Sequence, residues 1–395
     1  MAKKEPKQKD RSMDALRKQF GDKAISFGIS HKPDPHRIPC GIFPIDFATG
    51  GGPIPLWHSA CFWGPEKGGK SSLAADTIAQ AQNICWKCFN PLDVCICSTP
   101  ALKMKGVLGN VEGTFDPLWY SSIGVNNDEL IVIEGDSGEE FADMFKAVLE
   151  VDDVGLLVVD SLAGMSPSAE IEASSADNFY ALQSKLIGPL VRILKQELLR
   201  EKKRGHPCAI LFTNQMRMKI GVQFGNPETM TGGFGMKHEF SLVLRVNDIA
   251  LTKNDKDKFS SDREEEMPVV TRHSFAIKEH KVFILAVSGQ YVRANEYIPA
   301  YDLQRGRVDD LTVLVNYAKR YGIIKKEKNS WNYFDQTSST LGKIETFLKQ
   351  RPSEKFRLQN AVIELAKKQV ISGLGACDGT EDVRAVQPEE GDSSE

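Results

Sequence analysis

Short apolar runs and helix-forming stretches alternate along the first two thirds of the chain. Ser59-Ala60-Cys61-Phe62-Trp63 has the apolar density of a short buried strand. A glycine-rich turn follows it, and Ser71 to Gln82 then favours a helix. Val107–Val111 and Leu130–Ile133 are further short apolar runs. Gly155–Val159 (GLLVV) and Ala209–Thr213 (AILFT) are unbroken, as strands buried on both faces are. Helical sequence from Ala181 to Lys203 separates them. Strand, helix and strand in this rhythm predict an α/β fold, with a central, mainly parallel twisted sheet flanked by crossover helices. Upstream, Leu16 and Phe20 at i, i+4 spacing predict a short amphipathic helix over Asp14–Phe20. Leu251–Glu266 is polar and charged, and is expected to be a loop or a β-connection. After Asp302 the pattern predicts a small α+β domain whose clearest helices are Leu311–Tyr321 and Lys355–Lys368. No internal repeat is visible.

Composition narrows the class. Of 395 residues, 41% are apolar and 26% charged, which excludes a wholly disordered chain and a collagen-like fibre. No window approaches the roughly eighteen uninterrupted apolar residues of a membrane span. The N-terminal MAKKEPKQKDRSMD lacks the apolar core of a secretory signal, so a cytoplasmic protein without a membrane partner is expected. A net charge of −3 excludes a uniformly basic coat for nucleic acid, so any such binding must be local. The ends differ in sign. Residues 1–18 hold seven Lys/Arg against three acids, whereas 377–395 hold seven acids against Arg384. Both ends are expected to be solvated arms. The acidic one either keeps the protein soluble or competes with DNA for basic surface.

Gly64-Pro65-Glu66-Lys67-Gly68-Gly69-Lys70-Ser71 fits G-x4-G-K-[ST] with a strand before it and a helix after it. Glycines let successive N–H groups turn inward around a polyanion, and the helix N-terminus adds partial positive charge. Lys70 is spaced to reach the β and γ phosphates. The Ser71 hydroxyl suits Mg²⁺, a hard cation that prefers oxygen. Ser72 completes the set expected around the nucleotide. Asp160 closes the GLLVVD strand, where an acid lies in the ligand crevice and serves as the Mg²⁺ acid of a phosphate-loop protein.

Four blocks carry a resemblance to RecA-type homologous recombinases, running from about Met13 to Arg351. They are Gly64–Ser71, Asn110–Pro117 (NVEGTFDP), Val158–Ser161 with Pro167–Glu172 (PSAEIE), and Asn214–Gly233 (NQMRMKIGVQFGNPETMTGG). The resemblance implies a RecA-like ATPase core over 36–300, with a DNA-binding loop over 214–240. It implies a basic arm and subunit-docking helix over 1–35, a C-terminal domain over 301–376 and an acidic tail over 377–395. Glu112 resembles the catalytic glutamate, a carboxylate able to orient water at the terminal phosphate. Asp116 and Trp119 resemble the adenine contacts, with Trp119 where the family usually has Tyr. Gln215 is expected to end its strand beside the γ-phosphate and to pass that state onward.

The segment Met216–Phe240 carries five glycines, so it is not expected to pack as core. Either it is an active-site lid, or it is a DNA loop ordered by ATP that uses Arg217, Lys219, Gly232, Gly233 and Lys237, with Phe224 against bases. Glu172–Asn178 resembles a first DNA loop. Lys278 aligns with a lysine that stabilises charge at the neighbouring subunit's ATP. The family's second lysine is replaced either by His280, only partly charged near neutral pH as histidines are, or by Lys281 one residue later. The implied activity is that of a DNA-dependent ATPase. It forms helical filaments on single-stranded DNA with ATP and Mg²⁺ and exchanges strands with homologous duplex, in a bacterial or phage-infected cytoplasm. A RecA-core helicase or branch-migration motor is one rival. An ATP-switched, non-catalytic DNA-binding mediator is another.

Cys85-x2-Cys88-x6-Cys95-x-Cys97, in an insert over 84–98, gathers four of the eight cysteines. Two close pairs can give Zn²⁺ four thiolates, with Trp86 and Phe89 as shields. A redox pair or space-filling cysteines are the alternatives. Cys40, Cys61, Cys208 and Cys377 are too scattered to join them.

Overall fold

A computed structural model describes residues 12–20, 36–85, 87–97, 103–171, 180–218, 228–232, 235–255, 269–299 and 302–374. Helix α1 (Met13–Phe20) forms a unit of its own, with Asp14 in its first turn and Arg17 and Lys18 in its last, the charge order that the helix dipole favours.

The second unit begins with a two-strand ribbon, β1 (Arg37–Ile38) and β2 (Ile54–Pro55), around α2 (Phe43–Ala48). Then follow β3 (Ser59–Gly64), α3 (Lys70–Gln82), β4 (Lys105–Asn110), α4 (Pro117–Ile123), β5 (Ile131–Ile133), α5 (Gly138–Leu149) and β6 (Val154–Asp160). After these come α6 (Ser168–Ile171), α7 (Tyr180–Arg204), β7 (Ala209–Met218), β8 (Glu228–Met230), β9 (Leu242–Ile249), β10 (Val270–His280) and β11 (Ser288–Ala294).

The central sheet runs β11-β10-β9-β3-β7-β6-β4-β5, with β8 added to β7. Strands β9, β3, β7, β6, β4 and β5 are mutually parallel, and β10 and β11 extend the sheet antiparallel. The expected mainly parallel sheet is therefore present, with an antiparallel wing that the apolar pattern did not reveal. Strand pleating explains why β6 reads as a continuous apolar run. Leu156 and Val158 face a cluster with Leu73, Ala74 and Ile78 of α3. Leu157 and Val159 face another with Phe145 of α5 and Leu190 and Leu194 of α7. Cys61 and Cys208 are buried beside these strands.

Helices α4 and α5 were missed in the sequence. Helix α5 carries a readable start, Ser137 accepting from the Glu140 N–H at 3.3 Å, and an apolar face of Phe141, Phe145 and Leu149.

Beyond β11, helices Leu311–Arg320, Leu341–Lys349 and Pro352–Leu374 accompany an antiparallel three-stranded sheet, Ile324–Glu327, Ser330–Tyr333 and Gln336–Ser338. Their core of Leu314, Tyr333, Leu348 and Val362 also takes in Phe43 and Phe47 of α2.

Candidate nucleotide site and metal cluster

The ladder brings the candidate residues to one edge of the sheet. Gly64 pairs with Gln215 across β3 and β7, and Asn110 pairs with Asp160 across β4 and β6. The first residue of the phosphate loop, the candidate phosphate sensor, the strand-ending acid and the approach to Glu112 thus lie at the carboxyl ends of adjacent parallel strands.

The loop needs its glycines. Gly64 has φ +155°, and a Cβ there would run into the Val246 carbonyl. Gly69 has φ +91°, and a Cβ there would sit 2.9 Å from His273 Cε1. His273 on β10 stacks on Tyr291, with ring centroids 5.0 Å apart. Burial and then the Arg293 charge lower its pKa to about 4, so it stands neutral beneath the loop. Arg293 forms a buried ion pair with Asp76, tying β11 to α3. Lys67 takes positive φ, and Pro65 and Glu66 complete the turn into Lys70.

Lys70 Nζ donates to the Pro65 carbonyl at 2.6 Å. Burial lowers its pKa, against the opposing pull of Asp160, Glu112 and Glu66. Burial likewise raises Asp160, while hydrogen bonds from Thr213 and Ser71 work the other way. A hydroxyl touching a buried carboxylate is an oxygen donor set that fits Mg²⁺, and a dication there would favour the ionised acid.

Glu112 is held from both ends. The Val111 and Glu112 N–H groups donate to the Asp160 carbonyl at 3.0 and 3.3 Å. Its Oε1 accepts from the Ser161 hydroxyl and from Gln215 Nε2, the latter at 3.2 Å. Asp116 caps α4 by accepting from the Leu118 N–H at 2.9 Å. Trp119 Nε1 donates to Ser72 Oγ at 3.3 Å, and Arg305 lies 5.6 Å over the Trp119 ring. The sequence assigned no role to Ser161, Thr213, His273 or Arg305. Ser161 and Thr213 adjoin motif residues and were within reach, whereas only the folded sheet brings His273 and Arg305 here.

Two expectations about the segment after Gln215 are corrected. Gln215 does not end its strand. Strand β7 continues to Met218 because Met216, Arg217 and Met218 pair with Met230, Thr229 and Glu228 of β8. The segment is also partly core, since Met230, Met236 and Phe240 pack with the α5/α7 cluster. Arg217 is exposed, and Lys237 Nζ pairs with Glu279 at 3.0 Å. Gly232 adopts φ +99°. Lys219, Phe224 and Gly233 lie outside the described residues, as do Glu172–Asn178, Trp86, 256–268, the N-terminal residues 1–11 and the acidic tail.

Strand β10 has a register shift between Ile277 and Glu279, which leaves Lys278 out of the ladder with β9 and exposed. His280 is exposed, and its Nδ1 donates to the Val282 carbonyl at 3.2 Å. Lys281 instead gives its Nζ to the His238 carbonyl, and burial lowers its pKa.

The four sulfurs of Cys85, Cys88, Cys95 and Cys97 all lie within 4.8 Å of one another, and none is in a disulfide. Tetrahedral coordination at a Zn–S length of about 2.3 Å needs sulfurs about 3.8 Å apart, which this spacing accommodates. Burial opposes ionisation of Cys85, but the Cys88 and Lys87 N–H groups and the neighbouring thiols bring its pKa to about 7. The Cys97 N–H pulls Cys95 down, while burial and the other cysteines push it to about 12. The four sulfurs form a donor set that fits a sulfur-tolerant dication, with which all four could ionise together.

The RecA N-terminal domain family matches residues 7–289. Protein RecA of Deinococcus radiodurans is 30% identical over 365 residues, 92% of this chain and 89% of that protein. Protein RecA of Geobacter sulfurreducens is 30% identical over 360 residues, 90% and 94% of the two chains. Protein RecA of Citrifermentans bemidjiense is 33% identical over 256 residues, 64% and 68%.

Proposed function

The chain belongs to the RecA family, and we propose that it works as a DNA-dependent ATPase that assembles on single-stranded DNA and exchanges it with homologous duplex. ATP lies with its phosphates in Gly64–Ser71 and its base between α3 and α4, near Asp116 and Trp119. Ser71 and Asp160 hold Mg²⁺, which supplies charge neutralisation at the phosphates. Lys70 holds the terminal phosphates, and Glu112 orients the attacking water. Gln215 reports the γ-phosphate along β7 to Arg217, Lys219, Phe224, Gly232, Gly233 and Lys237, the residues proposed to grip DNA. Lys278 reaches the ATP of a neighbouring subunit in the filament, with His280 or Lys281 in the second place, each of which also hydrogen-bonds the backbone of its own chain. Zn²⁺ is the metal of Cys85, Cys88, Cys95 and Cys97. No helix among the described residues is long and apolar enough to cross a membrane, in keeping with work in the cytoplasm of a bacterium or phage-infected host.

The observation that carries this reading is the contact of Gln215 with Glu112 at 3.2 Å, made from a strand that continues unbroken to Arg217 and Met218. One amide thereby touches the hydrolytic carboxylate and begins the segment proposed for DNA. The test is ATP hydrolysis and strand exchange with and without homologous DNA. Stimulation by single strands, together with exchange that requires homology, is expected. Directional unwinding of non-homologous forks would replace the recombinase with a motor.

A further inference from the structure

The cysteine cluster sits where the helix leaving the phosphate loop ends. Helix α3 begins at Lys70 and stops at Gln82, three residues before Cys85. Cys85 bridges antiparallel to Lys103, Ile84 bridges to Pro91, and the Met104 N–H donates to the Ile84 carbonyl at 3.3 Å. The cluster therefore closes the excursion between α3 and β4 at its base.

From that base two tethers run to the turn after α4. Gln82, 4% exposed, makes a reciprocal pair with the Asn126 backbone. Its Nε2 donates to the Asn126 carbonyl at 2.8 Å, and its Oε1 accepts from the Asn126 N–H at 2.9 Å. Lys103 pairs with Glu129 at 2.8 Å. The turn in its own way holds the start of α4, because Asn127 Nδ2 donates to the Pro117 carbonyl at 2.8 Å and to Ser121 Oγ at 2.9 Å. Pro117 follows Asp116, and one helical turn on is Trp119, which reaches Ser72. A continuous set of contacts leads from the four sulfurs to the wall proposed for the nucleotide base, and none of it passes through the phosphate loop.

We propose that Zn²⁺ on Cys85, Cys88, Cys95 and Cys97 braces the base-binding wall of the ATP site, through Gln82 and the Asn126–Glu129 turn, so that its loss weakens the hold on the nucleoside and spares the hold on phosphate. This rests on the zinc reading and on the base site at Asp116 and Trp119. A small insert without a core of its own is ordered by its metal. Releasing it frees the last turn of α3 and the turn that fixes α4.

The purified full chain is first assayed for zinc. The metal is then stripped with a thiol-reactive mercurial and a chelator, the protein is returned to Mg²⁺, and binding of ATP and of inorganic tripolyphosphate is measured. The expected result is stoichiometric zinc, ATP affinity and KM worsened about three- to tenfold, kcat at saturation within about twofold and tripolyphosphate affinity unchanged. Re-addition of Zn²⁺ alone restores ATP affinity. Because stripped protein can lose more than the cluster, Gln82→Ala is tested in parallel with its zinc in place, and it is expected to reproduce the ATP-selective loss. A chain without zinc would remove the metal reading and the brace together. Stoichiometric zinc with unchanged ATP affinity in both the stripped and the Gln82→Ala proteins would overturn the brace and leave the metal reading intact. Equal losses for ATP and tripolyphosphate would also overturn it.

Discussion

The phosphate-loop edge and the cysteine insert are two ways of holding side chains in place within one chain. At the edge, Gly64, Asp160 and Gln215 belong to strands whose inner residues are fully buried between two apolar clusters, and Glu112 lies two residues past the end of another. Their spacing comes from ladder register, which cannot slip without exchanging the two faces of every strand. The insert has less of such support, with only Ile84 and Phe89 among its described residues reaching the apolar core. Val94 is 42% exposed and Ile96 is 94% exposed, and the four thiols converge on a loop held by turns and single bridges. Packed geometry should survive loss of any one polar group, whereas metal-held geometry should fail as a unit.

The largest expected effect tests the edge. Lys70→Ala and Glu112→Gln should each lower ATP turnover by about 10²–10⁴-fold, because charge stabilisation and water orientation are lost. Each should leave the unfolding free energy within about 1 kcal/mol, since neither side chain belongs to the apolar clusters. A large fall in melting temperature for either variant would mean that the site helps to hold the sheet, reversing the contrast.

A second effect bears on what lies beneath the loop. The folded pKa of His273 is near 4, below its ordinary value of 6.5. Its contribution to stability is therefore complete above pH 6.5 and is lost as pH falls towards 4, by up to about 3 kcal/mol. Burial raises the Asp46 carboxyl to about 7, which works in the opposite direction over the same window, so the loss should be read as the difference between thermal melts of the unaltered protein and of His273→Leu. A remainder should persist in the variant, because burial also lowers His58 to about 4. An unaltered slope in His273→Leu would mean that the buried imidazole is not the group being protonated.

Third, stripping the metal should raise hydrogen exchange about tenfold or more in 84–97 and 103–105 while β3 and β6 keep their protection. Loss of protection in β6 would show that the insert supports the sheet and that the two regions are one structural unit.

These differences also explain what the sequence disclosed. Strands β3, β6 and β7 were legible because strands buried on both faces leave unbroken apolar runs, and the phosphate loop because its glycine positions are demanded by geometry. The cysteine cluster was legible from spacing alone. The antiparallel wing was not, since β10 alternates buried and half-exposed positions and includes polar residues such as Arg272, His273 and Ser274. Nor could sequence foresee that β7 runs past Gln215, because that extension depends on pairing with β8 across an intervening glycine-rich stretch. Asp116 and Trp119 were marked by resemblance. The contact of Trp119 with Ser72 and the approach of Arg305 come only from packing α4 against α3 and the Gln304–Arg307 turn.

The smallest effect separates the two tethers between insert and edge. Lys103 and Glu129 are 47% and 37% exposed, so their attraction is screened by solvent and offset by the entropy of ordering two long side chains. Glu129→Gln should change stability by less than about 1 kcal/mol, and that difference should vanish in high salt. ATP affinity should stay close to that of the unaltered protein. The Gln82 amide makes its two hydrogen bonds to Asn126 while 4% exposed, and removing it loses two neutral hydrogen bonds whose worth salt does not screen. Affinity for ATP in Glu129→Gln and Gln82→Ala at low and high salt therefore compares the tethers directly. If Glu129→Gln proved the more damaging, coupling between insert and edge would be electrostatic, and it would weaken with ionic strength rather than depend on the buried amide.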